Sequence, residues 1–234
     1  VMTRVHPLTL GSLADLPDHA RRCLFWEMEP GDTTTAHAQC DPEFEKEAWI
    51  SSVTLSWGSC GQLLYDTTSG SSEEKVSGCA LYAPPSSVPR AASFPTSPVS
   101  ADAVLLTTLQ VNEFALSQGY HDTLLQAVIS DLVRRGVRAI EAFGHEHDAA
   151  TSWRDQHMVH QRPGDCTPST CMIPASLLRD SRFIEVAPHP EYPRFRYELD
   201  SDHGWKADVE AALMRLIETS TITLPSPSPV GAGG

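Results

Sequence analysis

No apolar run in the 234-residue chain reaches the roughly 18 residues that a membrane-spanning helix needs. Basic residues are scarce: 17 Lys and Arg stand against 30 Asp and Glu, a formal net charge of −13. Neutralising phosphates takes clustered cations, so nucleic acid is not expected as a main partner, and no membrane is expected either. No CxxC pair occurs among the six cysteines, and the spacing of Cys23, Cys40, Cys60, Cys79, Cys166 and Cys171 is irregular. Buried free thiols are expected. Residues 1–17 lack the continuous apolar segment of a secretory signal, which makes a cytoplasmic protein the expectation. No internal repeat is visible. What the chain does have is a core's worth of apolar residues, 41% of the total, enough for one generous domain over residues 1–219. Residues 220–234, rich in proline, serine and glycine, are expected to form a disordered tail.

The pattern along the chain is mixed. "VHPLTL" (5–10) reads as a strand and residues 13–27 as a broken helix ending in the aromatic pair Phe25 and Trp26. Residues 30–42 read as a loop. Trp49, Val53 and Trp57 recur at steps of four, a helical stripe stopped by Gly58. Residues 60–66 and 76–84 read as two strands of a long-looped hairpin. The proline-rich stretch 84–100 is a semi-rigid connection. The apolar run 101–111 predicts a buried strand. A polar link leads to Gly119, and Leu124, Val128 and Leu132, flanked by Leu125, Ile129 and Val133, give the following helix a wide apolar face. Arg134, Arg135 and Gly136 end it, and 137–144 is the next strand. Residues 145–170 read as a loop, 174–181 as a short helix, 182–188 and 194–200 as two strands, and 205–219 as a last helix.

A strand, a one-glycine turn and a helix N-terminus make an anion-cradling device. The phrases "RRCLFWE", "KEAW", "WGSCG", "ALYAPP", "PTSPVSADAVLLTT", "RRGVRAIEAFG" and "CMIPASLL", with the strand–turn–helix–strand centre at 103–142, resemble the GNAT acyltransferase superfamily, and within it an actinobacterial GNAT-like group. The resemblance covers most of residues 5–216. It implies an α/β fold of the α+β kind, with a central mixed, mostly antiparallel sheet flanked by helices. It also implies acyl transfer from acyl-CoA (acetyl-CoA) to an amine of a small molecule. The superfamily's signature, Arg/Gln-x-x-Gly-x-Gly/Ala, falls on Leu116, Ser117, Gln118, Gly119, Tyr120 and His121, where only Gly119 matches. The donor would lie along Leu109, Gln110 and Val111 and against Ser117, Gln118, Gly119, Tyr120, His121 and Thr123. Bulky His121 stands where backbone should approach phosphate. At about 6 Å and an effective dielectric near 20, Asp122 would repel a diphosphate by roughly 2–3 kcal/mol per unit charge before screening.

Amine acylation needs a base for the ammonium and an acid for the leaving thiol. Glu113 and Glu141 are the base candidates and Tyr192 the acid that the resemblance implies. Phe25, Trp26 and Glu27 would wall the acceptor pocket. Each has a structural alternative: a solvated Glu113, an ion-paired Glu141, a packed Tyr192 and a core aromatic pair. A second cluster, His145, His147, His157 and His160 with Glu146, Asp148 and Asp155, has His-x-His and His-x-x-His spacings but matches no recognised metal signature, so no metal is expected there. Rival expectations are the same fold with a changed donor or reaction (aminoacyl-tRNA-dependent transfer, decarboxylation or metal-dependent chemistry) or a non-catalytic binding module.

Overall fold

The computed structural model describes residues 2–28, 41–67, 75–146 and 166–199. The chain divides into two units, Val1–Leu199 and Asp200–Gly234. The expected last helix (205–219) and tail (220–234) lie outside the described residues, as do 147–165 of the histidine-bearing segment.

Eight strands form the sheet of the first unit: β1 (Met2–Pro7), β2 (Gly61–Thr67), β3 (Lys75–Ala83), β4 (Ala103–Val111), β5 (Ala139–His145), β6 (Ile173–Pro174), β7 (Ile184–Ala187) and β8 (Arg194–Glu198). Their order is β1-β2-β3-β4-β5-β8-β7, with β6 pairing β5 off this path. All pairs are antiparallel except β4–β5 and β5–β6. This is a mixed, mostly antiparallel sheet flanked by helices, as the resemblance implies. Helices cover both faces: α1 (Asp18–Arg22) and α2 (Pro42–Ser56) on one, α3 (Glu113–Ser117), α4 (Tyr120–Arg134) and α6 (Ala175–Asp180) on the other. The single turn α5 (Pro168–Cys171) precedes β6.

The helices begin and end where local chemistry dictates. Asp41 caps α2 by accepting from the Glu43 amide at 3.0 Å, Pro42 occupies the first turn, and Lys46, Ile50 and Val53 turn inward. On α4, Leu124, Leu125, Val128, Ile129 and Leu132 are buried. Its end closes with Gly136 N–H to Val133 O and Val137 N–H to Leu132 O, both 3.0 Å. Arg135 then stacks 3.5 Å over the Trp57 ring and donates to the carbonyls of Trp57 and Ser59, tying the ends of α4 and α2 together.

Several sequence expectations change. The broken helix 13–27 is a 3-10 turn (Leu10–Asp15) and the five-residue α1; Phe25 and Trp26 fall in the turn beyond it. The polar link after β4 contains α3, capped by Asn112 Oδ1 on the Ala115 amide at 2.8 Å. The loop read over 145–170 ends in α5, and β6 follows it; neither was foreseen.

Cys60 and Cys79 are buried in the sheet. Burial pushes the Cys60 thiol up to about 11 and the Cys79 thiol up to about 12. The sign follows from folded values above the unfolded ones. The stability held in these protonated thiols is complete below the ordinary thiol range and is lost as pH rises through about 11 and about 12. Each thiol therefore steepens alkaline destabilisation by up to about 1.4 kcal/mol per pH unit. Melting temperatures followed upward from neutral pH should fall less steeply in C79A than in the parent.

Candidate functional site

The parallel ladder between β4 and β5 covers only Ala103–Leu105 against Ala139–Glu141. Beyond Leu105 the two strands part. The edge of β5 that β4 leaves is taken by β6, at Gly144 and His145. The opposite edge stays with the β7–β8 hairpin, through Gly144 N–H to Pro193 O (2.8 Å) and Glu146 N–H to Glu191 O (2.9 Å). Gly144 is needed for close approach, since a Cβ there would lie 2.7 Å from the Phe195 ring and 3.1 Å from the Ala175 Cα.

The parting opens a cavity of about 330 Å³, a volume suited to a small ligand. It draws its lining from both faces of the sheet. His19, Ala20, Cys23, Trp26 and Lys46 come from the α1/α2 side, Leu116 and His121 from the α3/α4 side. Thr108, Leu109, Gln110 and Val111 contribute the end of β4, and Thr170–Pro174 with Ser176, Leu177 and Asp180 close the far wall.

Of the expected donor residues, Leu109, Gln110, Val111 and His121 line this cavity, whereas Ser117, Gln118, Gly119, Tyr120 and Thr123 do not. Ser117 turns its hydroxyl to the Phe114 carbonyl at 2.8 Å, and Tyr120 sets its ring edge-on to Phe114. Gln118 and Thr123 are exposed. Gly119 caps α4 in the left-handed region, φ 72°, which is why glycine stands there. Its carbonyl accepts from the Asp122 amide at 3.1 Å. The amides of Tyr120 and His121 lie in the first turn, where the helix itself offers no acceptor.

His121 is half-buried; its Nε2 lies 3.4 Å from Asp122 Oδ1, and its Nδ1 is buried without a partner among the described residues. Among the cavity-lining residues it is the one with such an orphaned atom.

Two of the three expected catalytic residues, Glu141 and Tyr192, stand outside the cavity. Glu113 opens α3, and its side chain lies outside the described residues. Glu141 is fully buried and does not line the cavity. Its carboxylate is ion-paired with Arg194 and with Arg196 (3.1 Å), and it accepts from the Ser100 amide at 3.3 Å. A fully buried carboxylate held by two guanidinium groups and turned away from the cavity is placed as a structural ion pair, which corrects its reading as a base. Tyr192 sits outside the cavity as well, between the rings of Phe94, His145 and His189. Burial, then the charge of Glu191, pushes its phenol up.

The expected acceptor wall is split. Trp26 lines the cavity and stacks on Phe143, its indole N–H reaching the Cys171 carbonyl at 3.3 Å. Phe25 turns away to Phe94 and the Arg90 guanidinium. Glu27 is buried in an ion pair with Lys46, which itself lines the cavity. Of the histidine-bearing segment, His145 meets Tyr192 and Glu146 pairs with Arg179; His147, His157, His160, Asp148 and Asp155 lie outside the described residues.

Sequence reasoning missed His19, Cys23, Lys46 and the 170–180 wall. One signal was available: His19 and Cys23 are four apart and face one side of a helical turn, and the Cys23 amide bonds the His19 carbonyl at 2.8 Å. The expected burial of the thiols holds for Cys23, Cys60, Cys79 and Cys171, while Cys166 is half-buried. Three of these sulfurs meet at the cavity wall. Sγ of Cys23 lies 3.5 Å from Sγ of Cys171 and 3.7 Å from Sγ of Cys166, and His19 Nε2 lies 3.7 Å from Sγ of Cys171.

No family model and no curated protein matches the chain. Solved structures do. An N-acetyltransferase, PaiA, from Thermoplasma acidophilum, solved with coenzyme A, is 11% identical with a TM-score of 0.48, over 85% of this chain and 99% of that one. A GNAT-family acetyltransferase from Staphylococcus aureus is 10% identical with a TM-score of 0.44, over 85% and 99%. A ribosomal-protein-alanine N-acetyltransferase from Brucella melitensis is 16% identical with a TM-score of 0.42, over 83% and 99%. At these identities and TM-scores the likeness assigns this chain no activity, substrate or donor.

Proposed function

We propose that this protein moves an acyl group from an acyl-coenzyme A donor to an amine of a small molecule. The observation that carries the reading is the cavity through the parted sheet, lined from both faces, so that two reactants can meet from opposite sides. On the α4 side, β4 beyond Leu105 has lost its β5 partner and can pair with an amide-bearing arm, while the first amides of α4 can receive a diphosphate. On the α1/α2 side, Trp26 gives the acceptor an apolar wall. With Glu141 and Tyr192 outside the cavity, the free amine attacks the thioester carbonyl and its proton passes to the thiolate released as the C–S bond breaks, while His121, in the first turn of α4, stands at the donor's diphosphate end.

Calorimetric titration and thermal shift with acetyl-CoA test this reading. A ligand at a hundred times its dissociation constant adds about 2.7 kcal/mol of stability, a clear upward shift. Asp122 is exposed at the helix mouth, so solvent screens its repulsion of a diphosphate, and D122N should bind the donor several-fold to about tenfold more tightly. No shift with millimolar acetyl-CoA in either protein would remove the reading. The His121–Asp122 contact favours a second one, the same fold with a changed donor or reaction, such as aminoacyl-tRNA-dependent transfer or decarboxylation. Under that reading D122N gains nothing for acetyl-CoA.

A further inference from the structure

We propose that His19, Cys23, Cys166 and Cys171 form a structural zinc site beside the cavity. The ligating atoms of His19, Cys23 and Cys171 all lie within 4.8 Å of one another, although Cys23 and Cys171 are 148 residues apart in the chain. Cys166 stands outside that trio, its Sγ 3.7 Å from Sγ of Cys23, and completes the set by a small shift of its side chain toward the ion. Zn–S bonds of about 2.3 Å and a Zn–N bond of about 2.0–2.1 Å in a tetrahedron place sulfurs about 3.8 Å apart and sulfur and nitrogen about 3.6 Å apart. The observed edges of 3.5 and 3.7 Å between sulfurs, and 3.7 Å from sulfur to nitrogen, fall close to these.

Local structure prepares the set. One helical turn of α1 puts His19 and Cys23 on one side. A capping box at Thr167 starts the single turn α5, which sets Cys171 at its end, with Cys166 just before the cap. A disulfide would use two of the three thiols and leave the third and the imidazole unexplained. Three soft thiolates and one imidazole suit zinc.

Binding forms three Zn–S bonds and one Zn–N bond and releases three thiol protons; nothing is oxidised or reduced. Four protein ligands leave no open position, so the ion is structural. It would clamp α1 to α5, two walls of the cavity, and so fix the cleft's width. The inference does not depend on which donor or reaction the cleft serves.

The test uses the full chain purified without chelator. Elemental analysis should find one zinc per chain. After zinc is stripped, one equivalent of Co²⁺ should give the visible bands of tetrahedral thiolate-bound cobalt. C23S and C171S should lose both signals, H19A and C166S should change the cobalt spectrum, and C60S should keep the parent's. The cobalt titration of the parent needs no variant to fold. Absence of both zinc and the tetrahedral cobalt spectrum in the parent, or a Cys23–Cys171 disulfide in non-reducing mass spectrometry, would overturn the site. A C166S spectrum identical to the parent's would overturn the four-ligand set.

Discussion

E141Q is expected to lower folding stability by about 3–5 kcal/mol, seen as an earlier denaturant midpoint at unchanged slope. Glu141 is fully buried on β5 and answers both Arg194 and Arg196 of β8. Glutamine keeps the shape but turns an NH₂ group toward a guanidinium, donor against donor, and removes the charge that offset two cations. The arginines keep other partners, Thr96 O for Arg194 and Asp102 and Glu198 for Arg196, so the loss stays at the scale of one broken buried pair. The outcome separates two roles. A general base would lose turnover with stability intact, whereas this carboxylate should lose stability first. An E141Q protein as stable as the parent would make Glu141 a catalytic candidate again.

The misplacement of Glu141 shows what a sequence of this kind can and cannot reveal. The helix α4 is legible because Leu124, Val128 and Leu132 repeat with the helical period and a glycine stands at each end. The strands β4 and β5 are legible as apolar runs of the right length. Parity along β5 is legible too: Ile140 and Ala142 join the core under α4, and Glu141 and Phe143 face the other way. What parity does not give is the register of β8, which sets Arg196 directly opposite Glu141 and Arg194 opposite Phe143 on the same face. That register comes from tertiary packing of a hairpin far away in sequence, as the Glu141–Arg194 separation of 53 residues records. Two-residue β6 has no period to read, and one-turn α5 no stripe, so the wall they build could not be foreseen. The Trp26 wall was legible as an aromatic pair, but not which ring of the pair would face the cavity.

The same limit hides Lys46. On the sequence it is one polar residue of a helix; in the fold it lines the cavity and meets Glu27, and both side chains are buried. Burial pushes the Glu27 carboxyl up against the opposing pull of Lys46. Burial alone would draw the Lys46 ammonium down, but Glu27 and then Cys23 outweigh it and hold it up. The two shifts point in different senses for the pair, and the raised Lys46 is the one that fixes its state, since a cation in contact with a carboxylate stays charged. K46M should therefore cost about 3–5 kcal/mol, because Glu27, whose Oε2 already lacks a partner among the described residues, is left as a lone buried charge. Replacing both residues, as E27L with K46M, should recover most of that loss, and a double-mutant cycle measures the coupling. The pH dependence gives an independent check. Without its cation the Glu27 carboxyl has a folded pKa further above the unfolded value, so the protonated, neutral form carries the stability, which is lost as pH rises through the folded value. The deficit of K46M should shrink as pH falls from neutral toward about 5, because without its cation Glu27 is raised further than in the parent. A K46M deficit that stays constant over this range would mean that packing around the lysine stem, and not the buried charge, holds α2 to the turn after α1.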